Sequence, residues 1–179
     1  RDWSSDVCSS DLLLARGPRG VVVHGTHLGD DDDALARLAH HRDRLCVAVC
    51  PRTTRAIAGT LPPVRLFRDA GVRVAIGTDS RASNPDLGVL AECRAVVDGG
   101  LVSPAEALQM ATRNAAWALG FDRIAGSLAA GRPADLAILV PPAGHHDPGE
   151  AILDPATRVM ATLRSGRVIA GRLPQSAVP

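Results

Sequence analysis

A chain of 179 residues is long enough for one ordinary domain and short for a complete α/β barrel, which typically needs about 250 residues. Its 46% hydrophobic and 22% charged content are those of an ordinary globular protein, and a net charge of +1 gives no reason to expect nucleic acid or an anionic membrane as partner. All 20 basic residues are Arg, which excludes a lysine Schiff base, and no apolar run approaches the roughly 20 residues of a membrane-spanning helix.

The first twelve residues stand apart. Asp2 to Leu12 (DWSSDVCSSDL) has no periodicity and resembles the conceptual translation of a sequencing-library adapter, so residues 1–12 are expected to be non-native. The native sequence then starts near Leu13, and the chain is expected to be the C-terminal part of a longer protein.

From Gly20 the pattern becomes regular. Val21 to His24 is too short and too β-branched for a helix and reads as a strand. Asp30 to Asp33 supply the cap and first-turn charge of a helix to about His41, with Leu35, Leu38 and Ala39 on one face. Leu45 to Val49 is a second strand. Pro62-Pro63 opens a helix through Val64, Leu66 and Phe67, and Gly71 closes it. A third strand, Val72 to Ile76, runs into Gly77-Thr78-Asp79. Strand alternating with helix predicts parallel βα units. His24, Cys50 and Asp79 recur at about the length of one such unit, roughly 30 residues, each at the C-terminal end of a strand. In a barrel that end carries the chemistry.

Helices dominate next. Leu87 to Val97 is apolar at helical spacing and stops at Gly99-Gly100. Ser103-Pro104-Ala105-Glu106 is a capping box opening a helix to about Met110, and another runs from Ala115 to Leu119. Beyond Gly126 short strands are expected at Ala134 to Val140, Val159 to Leu163 and Val168 to Ala170. Ala143 to Asp154 reads as a polar loop, and Ser165-Gly166 as a turn. The chain thus divides into an α/β unit over 13–125, a small β layer over 126–173 and a tail over 174–179.

Several of these runs together resemble the amidohydrolase superfamily, in its mononuclear-metal branch of cytosine deaminase-like and chlorohydrolase-like proteins. They are Val23-His24-Gly25 with His27-Leu28, Cys50-Pro51-Arg52, Gly77-Thr78-Asp79-Ser80 with Ala82-Ser83-Asn84, Ala111 to Ala116, and Gly126-Ser127-Leu128 with Gly131 to Leu136. The resemblance implies the C-terminal part of a distorted (β/α)8 TIM barrel, with strands six to eight ending at His24, Cys50 and Asp79, plus part of a small β-sandwich. It implies one divalent metal, zinc with iron as the alternative. Asp79 is implied as a metal ligand and acceptor of the water proton, and His24 as the donor to the oxygen that becomes negative. Two departures stand out. The His-x-His pair of strand one and the His with a nearby Glu of strand five are not in this sequence, and Thr53-Thr54 replaces the common Ser-Asn.

The residues themselves leave simpler roles open. Asp79 suits an Asx turn, and an isolated His24 suits a structural bond. Arg52 suits either an anionic or carbonyl group of a substrate or a surface ion pair. Cys50 reads as a buried wall residue, since no base or positive field marks it as a nucleophile. Four Cys without regular spacing give neither a disulfide framework nor a zinc ribbon. His27 is expected to brace its loop through a backbone hydrogen bond, Ser83-Asn84-Pro85 to shape the loop after Asp79, and Asn114 to cap or brace a helix. His40-His41 and His145-His146 are expected in solvent.

The implied reaction is hydrolysis of an amino-substituted heterocycle, purine or nucleoside-like, with release of ammonia. The same fold acting on a cyclic amide, an imidazolone or a chloride is the near alternative. A nucleotide-binding module would need a Gly-x-Gly-x-x-Gly turn, and none is present. A non-catalytic chain is the remaining alternative, because two metal-linked residues do not make a site. The expected partner is a small-molecule substrate, without nucleic acid or membrane; a homo-oligomer of the full-length protein is compatible. The cytoplasm is the expected compartment.

Overall fold

The computed structural model describes residues 17–173; the segments 1–12 and 174–179 set apart above lie outside the described residues. Three strands, β1 (Gly20–Val23), β2 (Leu45–Val49) and β3 (Arg73–Ile76), pair in parallel in the order β1-β2-β3. Val22 lies opposite Val47, and Val47 opposite Val74. The ladder runs past the strands: His24 N–H donates to the Ala48 carbonyl at 2.8 Å, and Gly77 N–H to the Val49 carbonyl at 2.9 Å. With a neighbour on each side, β2 buries Leu45, Cys46, Val47 and Val49 together. That is why it reads as an unbroken apolar run.

Helix α1 (Asp32–His40) starts as expected, one residue inside its cap: the Asp31 carboxylate accepts the N–H groups of Asp33 and Ala34. Helix α2 (Pro51–Ala58) occupies a stretch for which no helix was expected. Pro51 at its first position and Gly59, at φ 72°, are its start and stop signals. Helix α3 (Val64–Asp69) follows Pro62-Pro63 and inserts Val64 and Phe67, both fully buried, into the core. Helix α4 (Val89–Asp98) adds Cys93 and Val96, and α5 (Pro104–Gln109) adds Ala107 to the same cluster.

The capping box closes reciprocally, Ser103 Oγ accepting the Glu106 N–H and Glu106 Oε2 the Ser103 N–H. The two helices expected here are one rod. A π-helical turn, Met110–Asn114, joins α5 to α6 (Ala115–Ala118). It carries the Asn114 amide to β3, where Nδ2 donates to the Val74 carbonyl at 2.7 Å. Asn114 therefore braces a strand, not a helix. At the base of β3 the Arg73 guanidinium lies 3.7 Å from the centroid of the Trp117 ring.

The second sheet is antiparallel: β4 (Leu136–Val140), β5 (Arg158–Arg164) and β6 (Arg167–Gly171). Ser165 and Gly166, at φ 49° and 78°, make the two-residue turn between β5 and β6. The expected polar loop contains a short helix, α7 (Pro148–Leu153). Asp147 caps it by accepting the Glu150 N–H at 2.8 Å, with Pro148 in first position, the arrangement already met at Ser103. Arg94 of α4 fastens its far end through the Leu153 and Asp154 carbonyls, at 2.6 and 3.0 Å.

Bonds from the Ser103 backbone and hydroxyl and from Arg68 hold the Glu106 carboxyl below the usual carboxylate range. A depressed folded value means the contribution is complete above the unfolded pKa of about 4.3 and is lost as pH falls through the folded one. Glu106→Gln should therefore lower the urea midpoint at neutral pH, and the gap to the parent chain should close on acidification towards about pH 3. A gap that is constant across that range would show that the charge contributes nothing.

Candidate active site

Parallel pairing places the C-terminal ends of β1, β2 and β3 on one rim. His24, Cys50 and Asp79 all sit there. Two consecutive left-handed residues, His24 at φ 66° and Gly25 at φ 63°, end β1 abruptly. His is among the few side chains enriched in that conformation. Gly25 suits its place for a second reason: a Cβ there would come within 3.1 Å of both Phe67 and Val47, and those side chains would have to shift. The turn sends the His24 ring across the rim, and its Nε2 lies 3.9 Å from Asp79 Oδ2. That gap is too long for a direct hydrogen bond and short enough for one atom to be held by both. Both side chains are a little over one-third exposed, 39% and 38%. Asp79 also accepts a long bond, 3.5 Å, from Ser83 Oγ, which is 3.0 Å from Thr53 Oγ1.

Cys50 forms the floor between them and is 3% exposed. Burial first, and then the negative charges of Asp79 and Glu92, push its thiol up to about 11. A thiolate is therefore disfavoured, and the wall role expected of Cys50 agrees with its position. Thr53 and Thr54 are buried, 2% and 3% exposed; the Thr53 hydroxyl pairs with Ser83 behind Asp79, and Thr54 Oγ1 has no hydrogen-bond partner.

Arg52 is held by carboxylates. Its Nη1 donates to Asp86 Oδ1 at 2.6 Å, and its Nε lies 3.9 Å from Glu92 Oε1. The ion-pair alternative is thus the one the geometry displays, and it fastens the loop after β3 to α2. His27 pairs through Nδ1 with the Asp30 carboxylate at 3.2 Å, not with a backbone group. His145 likewise meets Asp154 at 2.9 Å and has a side chain only 26% exposed, where solvent alone was expected.

Glu92 went unnoticed in the sequence. Its side chain is 0% exposed, and its carboxylate accepts the Arg52 N–H at 2.8 Å and a bond from Asn84 Nδ2. The signal was there: in α4 a carboxylate sits beside Cys93, Ala95 and Val96, on the face that faces the core.

As a metal centre the rim is incomplete. A zinc or iron site needs three or more protein donors. Among the described residues no group of three His, Cys, Asp or Glu side chains is placed to hold one ion. Two surface cavities, of about 370 and 540 Å³, lie at the other end of the strands around Val72 and Arg73, away from His24 and Asp79.

The amidohydrolase family model matches residues 5–171. The chain belongs to the amidohydrolase family. Within the family it is 37% identical over 141 residues to a 5-methylthioadenosine/S-adenosylhomocysteine deaminase of Haloarcula marismortui, covering 74% of this chain and 31% of that protein. A protein of the same name from Halobacterium salinarum is 42% identical over 135 residues, covering 71% and 30%. The chain therefore spans about a third of the length of the curated relatives it matches. Among solved structures, a zinc-bound adenosine deaminase from Xanthomonas campestris superposes with a TM-score of 0.76 at 27% identity, covering 90% of this chain and 39% of that one. Atrazine chlorohydrolase from Arthrobacter aurescens, complexed with zinc, gives 0.70 at 27%, covering 84% and 36%. These neighbours are α/β barrel amidohydrolases of the chlorohydrolase-like branch, the branch that the sequence motifs resemble.

Burial also pushes the thiols of Cys46 and Cys93 up to about 11. Iodoacetamide at about pH 8 should leave Cys46, Cys50 and Cys93 unlabelled in the folded chain and label all three in urea, as read by peptide mass. Rapid labelling of Cys50 in the native state would show an accessible thiolate.

Proposed function

We propose that residues 13–125 are the C-terminal part of the barrel of a metal-dependent aminohydrolase, with β1, β2 and β3 as strands six, seven and eight, and that residues 126–173 are part of its β-sandwich. The observation that carries this is the imidazole of His24 facing the carboxylate of Asp79 across one rim, 3.9 Å apart, from strand ends two βα units apart in sequence. The outer edges of β1 and β3, with their backbone polar groups, and the exposed apolar side chains of Val23, Phe121, Ile124 and Leu128 are surface that such a piece would offer to the rest of the protein.

One divalent ion, zinc in preference to iron, would take Asp79 as a ligand, with its other donors outside the described residues. Bound there, the ion supplies a water whose pKa is lowered to near 7. Asp79 would accept the proton of the attacking water as the water adds to an sp² carbon, and that proton would leave with the amine as ammonia. His24 donates a hydrogen bond to the oxygen as negative charge develops. Ser83 steadies the Asp79 oxygen that faces His24, and Arg52 acts through Asp86, holding the loop in place without touching substrate. The substrate proposed is a purine nucleoside-like amino heterocycle that loses ammonia. The names of the curated relatives support this class. The likeness to atrazine chlorohydrolase supports the second reading, chloride as leaving group on the same scaffold.

In the complete polypeptide that carries these residues, 5′-methylthioadenosine should be deaminated with release of ammonia, and a chlorotriazine should not release chloride. Asp79→Asn should lower kcat by about 10³-fold and strip the metal, whereas His24→Asn should cost about 10²-fold and leave the metal in place. Metal analysis alongside initial rates separates the two roles; an Asp79→Asn enzyme with full metal and full kcat would sink the proposal.

The 179-residue chain alone should bind zinc weakly, because among the described residues no group of three metal-binding side chains is placed to hold one ion. Stoichiometric zinc surviving gel filtration with a weak chelator would contradict this.

A further inference from the structure

We propose that Glu92 is a positioning residue: a buried carboxylate that clamps the loop bearing Asp79 to the start of α2, and so sets where the Asp79 carboxylate lies. The inference rests on the reading of His24 and Asp79 given above. Residues 77–88 contain no helix or strand. Within them Asp79 is partly exposed, and its side-chain contacts are the 3.5 Å bond from Ser83 and the 3.9 Å approach of His24. Such contacts do not fix a loop. What fixes it is its far end. Asn84 is fully buried, donates its own N–H to the Ser80 carbonyl at 2.9 Å and gives its Nδ2 hydrogen to Glu92. Two residues on, Asp86 takes the Arg52 guanidinium and the Gly88 N–H, at 2.6 and 2.8 Å. Arg52 completes the circuit by donating its backbone N–H to the second Glu92 oxygen.

A bland packing role would not choose this residue. Removing a carboxylate from water costs several kcal/mol, and an apolar side chain of similar volume at such a site is commonly neutral or stabilising. Glu92 stands instead among Cys93, Ala95 and Val96, where an apolar side chain would fit the core. The pairing also leaves Asn84 Oδ1 buried without a hydrogen bond. An arrangement that accepts both costs specifies geometry, and the geometry specified is that of the loop after β3 against the first turn of α2. Displacement of a catalytic group by about 1 Å can cost 100-fold in rate.

The test uses the complete enzyme, with Glu92→Gln as first variant and Asn84→Ala, which removes one arm of the clamp, as second. Normalised to bound zinc, kcat for 5′-methylthioadenosine should fall about 100-fold with KM changed by less than about threefold. Amide exchange should speed up at Arg52 and over residues 80–88 while the β2 amides keep their protection. Unchanged kcat per zinc, or exchange that rises equally throughout the chain, would overturn the proposal. Should Glu92→Gln not fold, Asn84→Ala decides by the same two readouts. An Asp79→Asn control keeps the two ideas apart: full activity there defeats the site assignment, while the exchange pattern still judges the clamp.

Discussion

Parallel pairing of three strands in one register is the constraint on which the rest depends. Because β2 is bonded on both sides, the last residues of β1, β2 and β3 emerge together, and side chains more than fifty residues apart in sequence meet on one edge. Nothing about His24 or Asp79 individually makes them neighbours. The burial of Val47, Val49, Val74 and Ile76 against Val64, Phe67 and Val96 holds the sheet in place, and the sheet holds the rim.

The pattern of strands and helices was legible wherever one local rule governed it. The β-branched run before His24, the apolar run of β2 and the Ser103 capping box each formed where local chemistry said they would. The misses share a cause. Pro51 and Pro148 both open helices, yet each lies in a stretch whose Pro and neighbouring polar residues also read as loop, and tertiary burial of Thr53, Thr54, Ala151 and Leu153 decided the matter. The π turn was invisible because it is chosen by what Asn114 reaches on β3, a contact forty residues away.

The site was legible in part. Its two facing residues followed from strand ends and from motif resemblance. Their separation, and the turn at His24 that aims the ring, required coordinates. Glu92 marks the limit of reading by residue type: a carboxylate among apolar neighbours on a helix is a warning that can be found in sequence, but its partners Arg52 and Asn84 come from the first turn of α2 and from the loop after β3. A carboxylate without water or partners would be unstable there, so the loops and the helix must assemble jointly.

The amide of Asn114 has a consequence for whatever lies beside β3. In a parallel ladder alternate residues point their polar groups to alternate sides; Gly77 faces β2, so Val74 faces outward. Its carbonyl is already occupied by Asn114. A further strand docking along that flank would meet the Asn114 amide at Val74, and the next outward-facing residue towards the rim is Ile76. The side chain of one helical residue thereby occupies part of that edge at the end away from Asp79.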